Sequence, residues 1–446
     1  MEEYAFETKN SKVYNRGLDR FVFPRHVIYD KRMRREYINT LERVDIWNAK
    51  YQQRKKFKNR FIGELGLKDQ FKLPKDEESE PSWPCVPRKR SYLSTACNIL
   101  SLPNYSYARF PEIIDWSTGN IIVVGLGNNY HMFSWQSQRL TGHGVTGSKI
   151  NCCKFNPRGD VLLIGTNANF VELHDETLVK SSPNAYCKCA TVGHDICTIT
   201  SIDWSPTGNS FVVGCSQGAV SAFDQFGLHC SRWKDKGRSD IIAVRVSPDA
   251  RYVAVASMKS AVVHLLLWPS LQYYSNVDVD DSYVKSVVWH PWRSALLGVG
   301  VAVSDYRTIV IMWDTPSNKL HTDLATYYKY NLDCMLFSHR TGEMVLSLWD
   351  PARSVQHPKA STQLFVISDP TTVVDQSGDG RGDVDRVQTM VFSPDGTKLA
   401  TATADEDLLI WNFLPEDKTK KKVTKSRRFS TMPVYMDLTT QGFVLR

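Results

Sequence analysis

Ser201–Asn209 reads SIDWSPTGN and runs directly into Ser210–Cys215, SFVVGC. The first piece is a short apolar strand pattern closed by Ser-Pro and Gly, residues whose backbone preferences make tight turns. The second is rich in the bulky and β-branched residues that suit a pleated sheet. The same pair of pieces returns along the chain. The first recurs as Ile113–Thr118 (IIDWST), Cys152–Asp160 (CCKFNPRGD), Ala243–Arg251 (AVRVSPDAR), Val284–Ser294 (VKSVVWHPWRS), Leu332–Gly342 (LDCMLFSHRTG) and Val387–Thr397 (VQTMVFSPDGT). The second recurs as IIVVGLG from Ile121, VLLIGT from Val161, YVAVAS from Tyr252, ALLGVG from Ala295, EMVLSL from Glu343 and KLATAT from Lys398.

Each copy is followed by a strand pattern ending in tryptophan or a substitute, which places Trp135, His174, Phe223, Trp268, Trp313, Ile367 and Trp411 at corresponding positions. His174, Phe223 and Trp313 are each followed by Asp. A period of about 39 to 54 residues is that of WD40 blades with variable loops. Seven copies fill one ring, and closing the ring leaves no unpaired sheet edge at its seam. The predicted fold is therefore all-β: a seven-bladed propeller over residues 106–415, preceded by an arm (1–105) and followed by a basic tail (416–446). Blade six carries an insertion near Trp349–Ser361, and a long polar link, Pro370–Arg386, leads to blade seven.

The bulk composition narrows the function classes. Hydrophobic content of 42% and charged content of 23% over 446 residues are those of a globular protein. No run of apolar residues is long enough for a membrane span, so no membrane partner is expected. Met1-Glu2-Glu3-Tyr4 is unlike a secretory signal, which predicts reduced cysteines and a cytoplasmic or nuclear location. The net charge of +8 is concentrated in residues 31–60 and in the run Lys418–Arg428. Neither run interleaves aromatic side chains for stacking on bases, so specific nucleic-acid reading is not expected.

Both ends carry short tags. Asp19-Arg20-Phe21-Val22-Phe23-Pro24-Arg25 is basic and apolar. Between about Asp30 and Gln53, Ile38, Leu41, Val44, Trp47 and Tyr51 recur every three or four residues, the stripe of an amphipathic helix. Residues 56–105, including Pro81–Pro87, read as a tether. At the far end, Leu445-Arg446 combines an aliphatic side chain, a guanidinium and a carboxylate that could enter an acidic, apolar groove.

Together these pieces resemble the Fizzy family, co-activators of the anaphase-promoting complex. Its members join an arm bearing a C-box (Asp-Arg-Phe/Tyr-Ile-Pro-x-Arg), a seven-bladed propeller and a C-terminal Ile-Arg. Val284–Trp292 (VKSVVWHPW), Ile113–Gly125 (IIDWSTGNIIVVG), Ala404–Trp411 (ADEDLLIW) and Ile99–Pro103 (ILSLP) carry the likeness within and just before the ring. Departures from the common mitotic members resemble the family's meiotic insect branch.

The resemblance implies that Asp19, Arg20, Phe21, Val22 and Arg25, with Leu445 and Arg446, bind subunits of the ligase. Phe23 stands where the family has proline, and the proline falls one residue later at Pro24. It further implies that the seam between blades one and seven receives destruction-box degrons of proteins such as cyclins. There Asp115 and Glu406 would flank the degron arginine, as paired carboxylates suit a guanidinium. The other reading of the same residues has Asp115 bracing a strand and Glu406 as an ordinary loop carboxylate. Arg386 matches the polar lining of the family's KEN-box site. Met258-Lys259-Ser260-Ala261 replaces the paired asparagines that would orient a Glu-Asn pair, so KEN recognition is expected to be weak.

Catalysis is not expected, because no glycine-rich phosphate loop, Gly-x-Ser-x-Gly elbow or common zinc motif occurs. Cys187-x-Cys189 with His194 and Cys197 has the residue types of a metal site but not a common zinc spacing, so the expected metal and cofactor are none. His143, His194 and Asp195 read as turn residues of the repeat. A propeller scaffold that no longer activates the ligase is the alternative function.

Overall fold

A computed structural model describes residues 83–93, 96–105, 112–175, 185–189, 197–235, 239–258, 261–279, 282–303, 307–328, 330–351, 362–370, 372–377, 385–415 and 435–437. Among them the strands form seven sheets; in six of them the strands are antiparallel and each pairs with the next in sequence, while blade seven also takes in strands from before and after the ring. Blade three shows the plan. Its hub strand Ile199–Trp204 pairs with Ser210–Cys215, then Ala219–Asp224, then the rim strand His229–Lys234. The Ser-Pro-Thr-Gly turn joins the first two, with Gly208 at φ 73° as the left-handed residue the turn requires. No helix of the described residues is long and apolar enough to cross a membrane.

The core lies between blades, so neighbouring sheets must approach closely. A Cβ added at Gly214 in blade three would stand 2.6 Å from Ile241 Cγ2 in the hub strand of blade four, which explains a glycine inside a strand. Polar braces accompany the apolar packing. Trp204 Nε1 donates to the carbonyl of Lys154 at 3.3 Å, and Trp289 Nε1 to that of Arg245 at 2.9 Å, each reaching back to the preceding blade.

Register corrects two positions read from the repeat. Leu162 pairs with His174 and Phe211 with Phe223, whereas the matching residues Ile122 and Val253 pair with Phe133 and Leu266. Phe133 and Leu266 are buried, and Trp135 and Trp268 stand two residues beyond them, only partly covered. A tryptophan near a strand end was a stronger signal in the sequence than the pairing that decides burial. His143 also differs from its turn reading, for it lies in the rim strand Arg139–Val145, opposite His131. The polar link before blade seven contains that sheet's missing partner for blade six, the rim strand Thr372–Gln376.

The ring begins earlier than position 106. Ala96–Ser101 pairs antiparallel with Asp407–Asn412 and supplies the fourth strand of blade seven, with Ile99 opposite Leu409. A strand from before blade one thereby completes the last blade. Tyr435–Asp437 adds a fifth, parallel strand beside Ala96–Ser101. Leu100 and Leu102 then pack with Ile122, Phe133, Ala402 and Ile410, joining blades one and seven in one buried cluster.

Residues 83–93 are not a tether. Trp83 is buried edge-on against Phe337, and the carbonyl of Pro84 accepts a hydrogen bond from His290 Nε2 at 2.8 Å. Val86 N–H donates to Thr341 in the first turn of blade six, where Gly342 (φ 69°) leaves room for the Pro84 carbonyl. The segment runs beneath blades five to seven, on the end of the strands where the first-to-second turns lie. Its prolines lower the cost of holding it extended.

Candidate functional site

The hub strands surround a cavity of about 670 Å³. Glu112, Asp115, Lys154, Arg245, Lys285, Asp333 and Arg386 put both charge signs on its wall, with Met258 and Tyr283 among the apolar groups. Met258 and Tyr283 are also exposed to solvent, at 39% and 55%.

Alternation along the strands explains how charges reach a hub otherwise lined largely by apolar residues. In Ile114-Asp115-Trp116 the flanking residues pack between sheets while the carboxylate turns to the next blade. Asp115 Oδ2 accepts the Phe155 N–H at 2.8 Å, and Oδ1 lies 3.4 Å from Lys154 Nζ. The same three residues recur in blade three, where Asp203 Oδ2 accepts the Val246 N–H of blade four at 2.9 Å. The brace is thus a repeated device of the ring, and the repeated Ile-Asp-Trp was its signal in the sequence. Burial raises the Asp203 carboxyl above the usual range, while the Asp115 carboxylate raises the Lys154 ammonium. Each charge is retained because a partner offsets part of its desolvation.

Across the hub, Glu112 pairs with Arg245 and accepts a hydrogen bond from Ser201 Oγ at 3.0 Å. Arg245 also donates to the Val244 carbonyl at 2.8 Å. This pair ties the entry to blade one to blade four, and reading by motif did not reveal it, because the two residues are 133 positions apart.

Arg386 precedes the hub strand of blade seven and reaches back to blade six. Its Nε and Nη2 contact the two oxygens of Asp333 at 2.7 and 2.5 Å, and its guanidinium lies 4.2 Å from the Trp349 ring centroid. A planar fork gripping a carboxylate and covering an indole is the geometry arginine supplies and lysine does not. Burial raises the Asp333 carboxyl, and Arg386 opposes that shift.

Glu406 sits in the turn between the second and third strands of blade seven, at φ 65°, and its carbonyl accepts the Leu102 N–H at 2.6 Å. It is half-buried and is not among the residues lining the cavity. The structure therefore brings Asp115 and Arg386 to one cavity, and places Glu406 on a turn of the neighbouring blade. Asp19, Arg20, Phe21, Val22, Arg25, Leu445 and Arg446 lie outside the described residues, as does the helix expected near Asp30–Gln53.

A second charged centre, absent from the sequence reading, fastens residues 83–93. Arg88 is buried with its Nη2 2.8 Å from Glu343 Oε2 and its Nη1 3.0 Å from Asp375 Oδ2. It also donates to the Phe413 carbonyl at 3.1 Å and lies 3.9 Å over the Phe413 ring. Asp375 is satisfied further by Ser91 Oγ and the N–H groups of Tyr92 and Leu93. Cys85 beside this centre is raised by burial to about 11, and its thiol donates to the Ser368 carbonyl.

Four cysteines converge elsewhere. Cys187, Cys189, Cys197 and Cys215 are buried, with their sulfurs all within 4.8 Å of one another. Along the chain the first three, with His194, have no common zinc spacing. Cys215, from a different strand, is the member that spacing along the chain could not show, and His194 lies outside the described residues.

Comparison with known proteins agrees with this architecture. The family model "WD domain, G-beta repeat" matches residues 134–175, 187–224 and 377–412. Protein cortex of Heliconius erato is 48% identical, and that of Heliconius melpomene 46%, each over the whole of both chains. Protein FIZZY-RELATED 1 of Arabidopsis thaliana is 24% identical over 76% of this chain and 66% of its own. A chain in a crystal structure of the mitotic checkpoint complex has the same fold, with a TM-score of 0.59 and 19% identity over 77% of this chain and 98% of that one. Identity near one half from end to end, on a seven-sheet ring closed by its own leading strand, shows that this chain belongs to the cortex family, a branch of the Fizzy WD40 proteins.

Proposed function

We propose that this chain is a substrate-recognition co-activator of the anaphase-promoting complex, active in the cytoplasm or nucleus during meiosis. It acts as an adaptor: the ring holds destruction-box degrons, and Asp19–Arg25 with Leu445-Arg446 bind the ligase. The observation that carries this reading is a Fizzy-type ring on the same chain as the C-box-like Asp19-Arg20-Phe21-Val22. The Arg88 centre supports it mechanically, because it fixes residues 83–93 of the arm to the ring. A ligase bound at Asp19–Arg25 would then be tethered to the same chain as the degron, raising its effective concentration.

In this reading a degron arginine takes the place of the Lys154 ammonium at Asp115 Oδ1, while Oδ2 keeps its bond to Phe155. Lys154 is suited to yield, since its side chain is 42% exposed. Glu406 offers a second carboxylate from blade seven, and Arg386 belongs to the KEN-facing side. The test is co-purification of the ligase with the intact chain, with Arg20→Ala and with a chain lacking Arg446. Recovery that falls in both variants supports the proposal.

The second reading, a scaffold that no longer activates the ligase, is favoured by the displaced proline at Phe23-Pro24. Equal recovery of the ligase in all three preparations, with destruction-box binding intact, would select it.

A further inference from the structure

We propose that Cys187, Cys189, Cys197 and Cys215 bind one Zn²⁺ as a tetrathiolate that joins blades two and three. Three observations support the site: how the four thiols are brought together, how short the described rim strand of blade two is, and which charge stands beside them.

The thiols come from separate parts of two blades. Cys187 and Cys189 follow the rim strand of blade two, Ala185–Tyr186. Cys197 stands just before the hub strand of blade three, and Cys215 ends the strand after it, opposite Ile199. Cys187 N–H donates to the Asn169 carbonyl at 2.7 Å and Ile199 N–H to Ala168 at 3.3 Å, so one turn of blade two holds both approaching segments. Alternate residues point the same way along an extended chain, which turns Cys187 and Cys189 inward and Lys188 outward. A tetrahedral zinc with Zn–S of about 2.3 Å has sulfurs about 3.8 Å apart. Sulfurs within 4.8 Å need to close by only about an ångström to reach that geometry. Four thiolates with no oxygen donor select zinc among the common structural metals.

Among the described residues, blade two has the shortest rim strand. Its fourth strand has two residues and pairs only through Phe170–Tyr186 and Val171–Ala185. The other described rim strands have five to ten. A metal fastening Cys187 and Cys189 to Cys197 and Cys215 would add coordinate bonds to this short ladder.

Zinc with four thiolates carries a net charge of −2, and the Arg232 guanidinium stands near it. Lys188 lies between the first two ligands, and Arg232 Nη1 donates to the Lys188 carbonyl at 2.5 Å. Binding releases the thiol protons to solvent, so nothing is oxidised or reduced.

The test begins with the full-length chain purified without chelator. Zinc would be counted by atomic emission and by a colorimetric chelator after a mercurial releases it from sulfur. One equivalent per chain is expected, falling at least about tenfold in Cys197→Ser and Cys215→Ser and unchanged in Cys230→Ser, whose thiol is exposed and outside the group. Should the variants not fold, the wild-type chain exchanged with Co²⁺ decides. The intense sulfur-to-cobalt charge-transfer and visible bands of a tetrahedral tetrathiolate support the site. A chain free of zinc both as purified and after zinc addition, with the four thiols reactive once unfolded, overturns it. Retention of zinc in a folded Cys197→Ser, Cys215→Ser double variant, or iron or copper in place of zinc, overturns it equally.

Discussion

Arg88 and Glu343 are 255 positions apart in the chain, yet Arg88 Nη2 lies 2.8 Å from Glu343 Oε2 with both side chains buried. Asp375 completes the centre, so one guanidinium serves two carboxylates from blade six while lying over the Phe413 ring. Removing the cation leaves both carboxylates buried without it. Arg88→Met should destabilise the chain by about 3–5 kcal/mol. It should also open residues 83–93 to protease before the ring unfolds. Chemical denaturation and timed proteolysis would check this; a loss below about 1 kcal/mol would show the centre to be idle.

One turn of the repeat is built against its own residue. Gly159, Gly208 and Gly396 occupy the left-handed position of the hub turns in blades two, three and seven, at φ 84°, 73° and 65°. Blade four places Ala250 there at φ 52°, with the same backbone hydrogen bond, Ala250 N–H to Ser247, at 2.8 Å. The left-handed conformation costs an L-residue about 1–2 kcal/mol, part of which glycine returns through its more flexible unfolded chain. Ala250→Gly should therefore stabilise the chain by about 0.5–1 kcal/mol, seen as a raised Tm.

His290 makes the attachment of Pro84 sensitive to pH. Its Nε2–H donates to the Pro84 carbonyl, and its Nδ1 accepts the N–H groups of Trp292 and Arg293, both at 3.1 Å. Protonating Nδ1 would set a proton against two donors. Burial lowers this imidazole below its ordinary value of 6.5, and Arg293 lowers it further. The unfolded chain then binds a proton that the folded chain refuses, so the stability is present above pH 6.5 and lost as pH falls through the folded value. His290→Gln should weaken the chain at neutral pH by about 1–3 kcal/mol and make the acid slope shallower. The slope will not vanish, since His131, His229, His264 and His339 are also lowered by burial. Denaturation of both chains across this range gives the difference.

If a degron arginine displaces Lys154 from Asp115, removing the competitor should help. Lys154→Met should tighten a destruction-box peptide by roughly three- to tenfold, and Asp115→Asn should weaken it by as much, about 1 kcal/mol each way. The asparagine can still accept the Phe155 N–H, so the ring should stay folded. Titration by fluorescence anisotropy distinguishes the cases, and weaker binding by Lys154→Met or unchanged binding by Asp115→Asn would refute the exchange.

A KEN peptide offers a different comparison. If Met258 and Ala261 stand where the resemblance implies orienting amides, the intact chain should bind a KEN peptide at least about tenfold more weakly than a destruction-box peptide. Equal affinities would remove the argument from those two residues.

The ring was legible because its cause is local and repeated. Ser-Pro-Asp and Asn-Pro-Arg-Gly turns, β-branched strands and a regular period each report on a few neighbouring residues, and seven copies reinforce one another. Ile-Asp-Trp was equally visible in blades one and three, but its meaning was not. Its pattern suits a carboxylate waiting for a ligand as well as one bound to Phe155 N–H and Lys154, and only the next blade distinguishes them. Trp135 and Trp268 were misplaced by two residues for a similar reason, since strand register is set by partners and not by composition.

By itself the sequence determined a propeller of seven blades, because turn chemistry and strand alternation act over a handful of bonds. Tertiary structure alone decided that Ala96–Ser101 completes blade seven, that Arg88 meets Glu343 and Asp375, that Glu112 spans the hub to Arg245, and that Cys215 joins Cys187, Cys189 and Cys197. Each of these joins residues far apart in the chain. Their partners are chosen by ring closure, which brings distant segments together in a way no short stretch of residues encodes.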